Sequence, residues 1–334
     1  MSAKYFTHQP LVIIGATGRL ASELAFYSQL LHFSSHLILC GSSYKRLQGL
    51  KDELEEASFD PQLVVETTCS MTKAVEQGGF ILFAKSVPGG AQTREEMLML
   101  NAPFAKEAGE ALAQAKNKVI KVVCVSNPSD LMGLILLVHS GLSPELVMSL
   151  SSLDTERLKR TLSRKANCSK DDLQNTYTLG SHDTKMAPML DLVRVKGKKL
   201  SEIGITSEEE EEIIKEVREA GIMILKQRGQ TAYQSPAVHC LRLLSADDNT
   251  PFTLPTARYH HSKRYPYTFG SFPTIVDSEG CHHLPIKLSE SDLKRLDDSF
   301  VSIEKMKRQL IHMGFLPNPT SWHNQLQKER ELII

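Results

Sequence analysis

Neither sign of charge prevails in these 334 residues: 39 Lys and Arg stand against 39 Asp and Glu. That balance removes any bulk attraction to nucleic acid or to an anionic membrane surface, so neither is expected as a partner. Long hydrophobic runs are also lacking. The longest, LMGLILLV at 131–138, falls well short of the roughly 20 residues a membrane-spanning helix needs. The opening MSAKYFTHQP has no apolar stretch behind a basic patch and does not read as a secretory signal, so the cytoplasm is the expected compartment. The six cysteines, at 40, 69, 124, 168, 240 and 281, form no CxxC pair and no metal-ligand spacing. Cys40 and Cys124 lie in apolar strand-like runs, which suits reduced core thiols. The pairs His260-His261 and His282-His283 lack any further ligand pattern; they are expected to be exposed, and no metal is expected. There is no internal repeat and no low-complexity tract.

What is present is an alternation. Short apolar runs at 11–14, 37–40, 63–66, 80–84, 119–125 and 146–150 are separated by stretches of helical periodicity such as 19–32 and 93–115. Strands alternating with helices imply a parallel sheet covered on both faces. Six of them would complete a doubly wound α/β domain, predicted to span residues 1–150. Beyond 150 the alternation stops. Helical patterns at 155–165, 207–228 and 289–313 flank a strand-rich region at 252–287, which predicts a second, α+β domain over 151–334. The acidic run Glu208–Glu212 follows Thr206-Ser207 and reads as a helix N-terminus, where negative charge is favoured.

The first run, LVII, leads directly into Gly15-Ala16-Thr17-Gly18-Arg19-Leu20-Ala21. Gly15 permits a tight turn, Gly18 lets backbone approach a pyrophosphate, and Ala21 is small enough for helix–strand packing. The helix N-terminus then faces the phosphates. Alone, such a spacing fits any tight strand-to-helix turn; at the first strand of an alternating domain it predicts a Rossmann-type dinucleotide site. No Gly-Lys-Ser/Thr follows, so it is not a P-loop. A site for NAD usually has Asp or Glu about 20 residues after the glycines, on the ribose hydroxyls. Here the second run ends Leu39-Cys40-Gly41-Ser42-Ser43-Tyr44-Lys45-Arg46. The carboxylate that repels a 2′-phosphate is missing, and hydroxyls and cations stand in its place. Gly41 and Ser42 are therefore expected at the cofactor, with NADP favoured over NAD; an ordinary solvated loop is the alternative.

Further segments occur in a telling order: Thr93-Arg94-Glu95-Glu96-Met97-Leu98 with Asn101; Val125-Ser126-Asn127-Pro128; Ser140-Gly141-Leu142; Leu153-Asp154-Thr155-Glu156-Arg157; Leu179-Gly180-Ser181-His182; Ile224-Leu225-Lys226 leading to Gly229-Gln230-Thr231; and the helix LSESDLKRLDDSF. With the glycine turn, this ordered set resembles the malate/lactate dehydrogenase family over nearly the whole chain, closer to the malate branch. The resemblance implies hydride exchange between a nicotinamide dinucleotide and a small 2-hydroxy acid, in a homodimer or homotetramer. It implies His182 as the base that takes the hydroxyl proton, a task histidine suits near neutral pH. Asp154 would fix the imidazole tautomer, and Arg157 would grip the substrate carboxylate bidentately. Arg94 would polarise the carbonyl oxygen, Asn127 would bond substrate oxygen beside the nicotinamide, and Thr231 would line the substrate pocket. Outside the ordered set, His182 reads as a structural histidine, Asp154 as a helix cap and Arg94 as a partner for a neighbouring Glu.

Three departures from the family pattern follow. The arginine that holds a distal carboxylate in malate-type members is replaced by Pro88. The glycine pair expected just upstream reads Ala84-Lys85, and the Gly-Asp or Gly-Glu after the catalytic histidine reads Asp183-Thr184. Lys85 could crowd the cofactor or replace the missing cation. Three functions stay open: an NAD(P)-dependent malate dehydrogenase, an enzyme of the same mechanism for another acid such as a monocarboxylate, and a dinucleotide-binding homologue that has lost catalysis.

Overall fold

A computed structural model describes residues 6–87 and 93–326. The first half contains β1 (Leu11–Ile14), α1 (Arg19–Leu30), β2 (His36–Cys40), α2 (Tyr44–Ala57), β3 (Val64–Thr68), α3 (Met71–Val75), β4 (Gly79–Phe83), α4 (Arg94–Leu112), β5 (Val119–Cys124), α5 (Ser129–Ser140) and β6 (Val147–Ser149). Then come α6 (Ser152–Lys165) and the short strands β7 (Leu173–Gln174), β8 (Thr178–Leu179), β9 (Ala187–Pro188) and β10 (Arg194–Val195). The chain continues through α7 (Ser207–Arg228), α8 (Gln234–Leu244), β11 (Thr256–His260), β12 (Thr268–Phe272), β13 (Thr274–Val276), β14 (Cys281–His283), α9 (Glu290–His312) and α10 (Pro319–Leu326).

The near-continuous apolar strands have a simple cause: successive residues point to opposite faces, and both faces are covered. Val12 and Ile14 of β1, Ile38 and Cys40 of β2, and Ile81 and Phe83 of β4 enter one core. Leu11 and Ile13, Leu37 and Leu39, and Phe80 and Leu82 enter the other. The six strands run parallel, with β1 between β2 and β4. The order reverses at β1, and the crevice beyond the strand ends there is where doubly wound folds take their ligands.

The sheet does not end near residue 150 as expected. Its order is β12-β11-β6-β5-β4-β1-β2-β3, because β11 pairs antiparallel with β6 and β12 with β11. Without β11, β6 would be an open edge with unpaired backbone groups. The second half closes that edge from about a hundred residues downstream, a pairing that no local pattern announces. A further core of Leu158, Leu162, Ile213, Ile214 and Val217 joins α6 to α7. Thr206 caps α7 in a capping box with Glu209, as its acidic start suggests. Helix α8 packs on α1. Its C-terminus is held by the buried Lys121 of β5, whose Nζ donates to the carbonyls of Leu244, at 3.5 Å, and of Ala246. Burial pulls that ammonium down to about 8.

Contrary to expectation, the histidine pairs are not exposed: His260 is buried, and His261, His282 and His283 are half-buried. His260 is 1% exposed, shares a hydrogen bond with Ser262 Oγ at 2.9 Å and lies 5.2 Å from the His283 ring. Burial drives the two to about 3 and about 2. His260 is buried because β11 lies inside the eight-stranded sheet, and His283 is covered because the β13–β14 hairpin packs its ring against His260 and Phe272.

Candidate active site

The glycine turn forms as its sequence requires. Gly15 has φ +87°, and a Cβ there would lie 2.7 Å from Lys85 Cα and 2.7 Å from Lys85 N. Only glycine allows the turn to approach the end of β4 so closely. Gly18, at φ −76° and ψ 148°, is the N-cap of α1 and has no side chain to cap it, so the positive end of the helix opens toward the crevice. Ala21 is 1% exposed against the sheet. A cradle that a Cβ would fill, beside an uncapped helix start, fits a dinucleotide pyrophosphate. Arg19 Nη1 donates to Gln230 Oε1 at 2.5 Å, so the segment carrying the exposed Thr231 lies against the same turn.

At the end of β2, Gly41 N donates to Thr68 O at 3.2 Å and Ser42 is exposed. The next residues are not a loop. Ser43 is the N-cap of α2, its Oγ accepting from Arg46 N at 3.4 Å, so Tyr44, Lys45 and Arg46 form the first helical turn. Lys85 is drawn onto α4: its Nζ lies 4.3 Å over the Phe104 ring and 3.8 Å from Glu107. Pro88 lies outside the described residues.

The ends of β4 and β5 are tied together behind the crevice. Asn101 of α4 accepts from Val87 N at 2.9 Å and donates to Asn127 O at 2.7 Å. Ser126 Oγ donates to Lys85 O at 2.6 Å. These bonds present Asn127, exposed, at the start of α5.

His182 stands where the second half meets this edge. Its Nδ1 donates to Asp154 Oδ2 at 2.6 Å; an ionised carboxylate can only accept, so Nε2 is left as the free base. Asp154 is 2% exposed in the first turn of α6. Arg157, three residues on and therefore on the same helix face, donates to Asp154 Oδ1 at 2.9 Å. Burial opposes charge on the carboxyl, but His182 and Arg157 outweigh it, and Asp154 falls below the usual carboxylate range. Burial likewise opposes the imidazolium, but Asp154 and, less strongly, Asp130 raise His182 above its ordinary value. Arg94 heads α4 behind a Thr93/Glu96 capping box. Its Nη1 donates to His182 O at 3.1 Å and its Nε lies 3.7 Å from Asp183 Oδ2, so its partner is not a neighbouring Glu.

His182, Asp154, Arg157 and Arg94 thus converge, from three separate segments. The residue missed in the sequence is Asp130. It lies in the first turn of α5, 0% exposed, and accepts from His182 N at 2.8 Å. Burial pushes it up to about 6, against the cations His182 and Arg94. The available signal was a carboxylate, two residues after Pro128, preceding the apolar stretch Leu131–Val138 of its helix: a group that needs a polar partner inside the protein.

A dinucleotide crevice beside a carboxylate-backed histidine and two arginines defines a dehydrogenase-type site. Matching family models agree. Residues 10–149 match the lactate/malate dehydrogenase NAD binding domain, and residues 151–313 match the lactate/malate dehydrogenase alpha/beta C-terminal domain. The chain belongs to the lactate/malate dehydrogenase family, and its cofactor is a nicotinamide dinucleotide. Among its relatives, malate dehydrogenase of Helicobacter hepaticus is 28% identical over 243 residues, covering 71% of this chain and 76% of the relative. L-2-hydroxycarboxylate dehydrogenase (NAD(P)(+)) of Methanocaldococcus jannaschii is 24% identical over 315 residues, covering 90% and 93%. The fold is shared with malate dehydrogenase of Plasmodium falciparum, at TM-score 0.81 and 22% identity over 91% of this chain and 99% of the other. Lactate dehydrogenase of Trichomonas vaginalis, in complex with NADH and oxamate, gives TM-score 0.81 and 23% identity over 92% and 99%.

Proposed function

We propose that this protein interconverts a small 2-hydroxy acid and its 2-oxo acid, with malate and oxaloacetate the preferred pair. Residues 1–150 would bind NAD or NADP and residues 151–334 the substrate. The observation that carries this reading is the His182–Asp154 pair at 2.6 Å, with Nε2 free and two arginines beside it. A dinucleotide bound there would supply or take up the hydride at the substrate carbon. It would be held by Gly15, Gly18 and Ala21 at the turn and by Gly41 and Ser42 at its ribose. In oxidation, neutral His182 takes the hydroxyl proton at Nε2, and Asp154 holds the tautomer and stabilises the resulting imidazolium. In reduction, the imidazolium returns that proton to the carbonyl oxygen. Arg157 has guanidinium nitrogens left over from Asp154 to hold the substrate carboxylate. Arg94 stabilises charge on the carbonyl oxygen, while Asn127 and Thr231 complete the pocket. NADPH serves at least as well as NADH, because no carboxylate ends β2. The Methanocaldococcus relative carries NAD(P)(+) in its name, which supports that expectation. We place the protein in the cytoplasm as a homodimer or homotetramer.

A second reading, a monocarboxylate substrate, is favoured by Lys85, whose ammonium is engaged by Phe104 and Glu107. With that ammonium engaged, a distal carboxylate is left without it, and an enclosed unpaired carboxylate costs several kcal/mol. A steady-state screen of oxaloacetate, pyruvate and other 2-oxo acids with NADH and NADPH tests both. Turnover with none sinks the dehydrogenase reading. An oxaloacetate preference above about 10³-fold in kcat/KM removes the monocarboxylate reading, since one lost charge pair should cost about 2–5 kcal/mol.

A further inference from the structure

The side chain of Asp183, next to His182, is neither loose nor solvated. The carboxylate is 9% exposed. Its Oδ1 accepts from Ser181 Oγ at 2.7 Å and from Lys185 N at 2.7 Å, and its Oδ2 from Ser302 Oγ of α9 at 3.1 Å. A carboxylate fixed by three donors is a rigid anchor. What it faces is Arg94: Nε lies 3.7 Å from Oδ2, and Nη1 is taken by the His182 carbonyl at 3.1 Å. The Nε–Asp183 approach is an ion pair without a hydrogen bond, and both Nε and Nη2 are buried with no hydrogen-bond partner among the described residues; of the two, Nη2 alone faces no carboxylate there. A buried guanidinium nitrogen without an acceptor is costly unless a ligand supplies one.

We propose that Asp183 is a positioning residue that holds the Arg94 guanidinium beside His182 before substrate arrives, leaving Nη2 as the donor for the substrate carbonyl oxygen. Without such an anchor an arginine side chain keeps its rotamer freedom and must be ordered at each turnover. Here that ordering is built into the resting protein, which is preorganisation of a transition-state donor. The role of Arg94 in this proposal rests on the dehydrogenase reading above; its anchoring by Asp183 does not.

The test uses Asp183→Asn, which keeps the size and an acceptor but drops the charge, and Asp183→Gly, which removes the anchor. Each is made alone and in an Arg94→Gln background. Asp183→Gly should lower kcat for the best 2-oxo acid by about 10- to 100-fold, the scale expected for loss of alignment. KM should change much less, and Asp183→Asn should fall between. In Arg94→Gln the same changes should have almost no further effect on kcat, because residues acting as one unit are non-additive. An undiminished drop in that background, or an unchanged kcat in Asp183→Gly, overturns the proposal. A second measurement needs no activity. In protein labelled with ¹⁵N-arginine, the Arg94 Nε–H signal, assigned by its loss in Arg94→Gln, should exchange slowly and should broaden or vanish in Asp183→Asn. Fast exchange already in the wild type overturns the anchoring. A wild type that reduces no 2-oxo acid removes the dehydrogenase reading, and the exchange measurement then decides the anchor alone.

Discussion

At His182, burial and charge act in opposite senses, and the Asp154 and Asp130 carboxylates prevail to raise the imidazole. Reduction needs the imidazolium and oxidation needs the neutral ring. The reductive rate should therefore persist to pH values above the ordinary histidine range, at about 6.5, before it falls, and the oxidative rate should rise over the same interval. Asp154→Asn removes the main charge that sustains the imidazolium, so both limbs should move to lower pH; log kcat–pH profiles in each direction check this, and limbs that stay in place refute it. His182→Ala should cost at least the roughly 10²–10⁴-fold of a lost general acid–base; unchanged turnover would exclude the assigned role. The same groups bear on stability. A raised histidine stabilises the fold fully below its unfolded value and loses that contribution as pH rises through the folded one. Asp154, held low, stabilises above its unfolded value and loses its contribution as pH falls.

Turns and helix ends carry the cofactor site. Gly15→Ala places a methyl 2.7 Å from the backbone of Lys85 at φ +87°, which combines a clash with a strained backbone costing about 1–3 kcal/mol. It should lower the melting temperature and also abolish the further rise that NADH or NADPH gives the wild type; a normal cofactor-dependent rise would show that this turn does not meet the phosphates. Gly41 is different. The nearest atoms to a Cβ there belong to the Leu47 side chain, at 3.3 Å and beyond, so a side chain is accommodated by a small shift. Gly41→Asp should therefore fold and repel a 2′-phosphate, moving the ratio of kcat/KM toward NADH by at least about tenfold, given about 1–4 kcal/mol between like charges near 4 Å. A strong preference of the wild type for NADH would mean that the end of β2 does not meet the ribose. The first turn of α2 was hidden because Ser-Ser-Tyr-Lys-Arg reads equally as a polar loop. Only the Ser43 cap, once formed, makes it a helix start.

Across the whole molecule, the two halves share one sheet. β11 completes the edge of β6, His182 N donates to Asp130 Oδ2 at 2.8 Å, and Lys121 Nζ donates to Leu244 O at 3.5 Å. Backbone pairing and buried polar contacts across the division near residue 150 should couple unfolding of the two halves. Calorimetry of the full chain should show one transition, and a fragment of residues 1–150 should aggregate or fail to fold because its β6 edge is open. Two separated transitions, or a soluble folded fragment, would show that the shared sheet contributes little.

Local chemistry made much of this protein legible from its sequence. Apolar runs of strand length, helical periodicity, the Gly15/Gly18/Ala21 turn and the order of the motifs around Asn127, Asp154 and His182 act through neighbours a few residues apart, or through the family resemblance they carry. What needed the folded chain is long-range. Asp130 meets His182 across 52 positions, Lys121 caps a helix end more than 120 positions away, and His260 is buried because β11 joins a sheet begun in the other half. Arg94 and Asp183 meet across 89 positions: Arg94 heads α4, Asp183 lies between β8 and β9, and only packing sets them 3.7 Å apart. A residue's type and its near neighbours decide which element it joins. Which buried charge it must satisfy, and which edge it must close, is decided by tertiary packing, where desolvation makes every unpaired polar group costly.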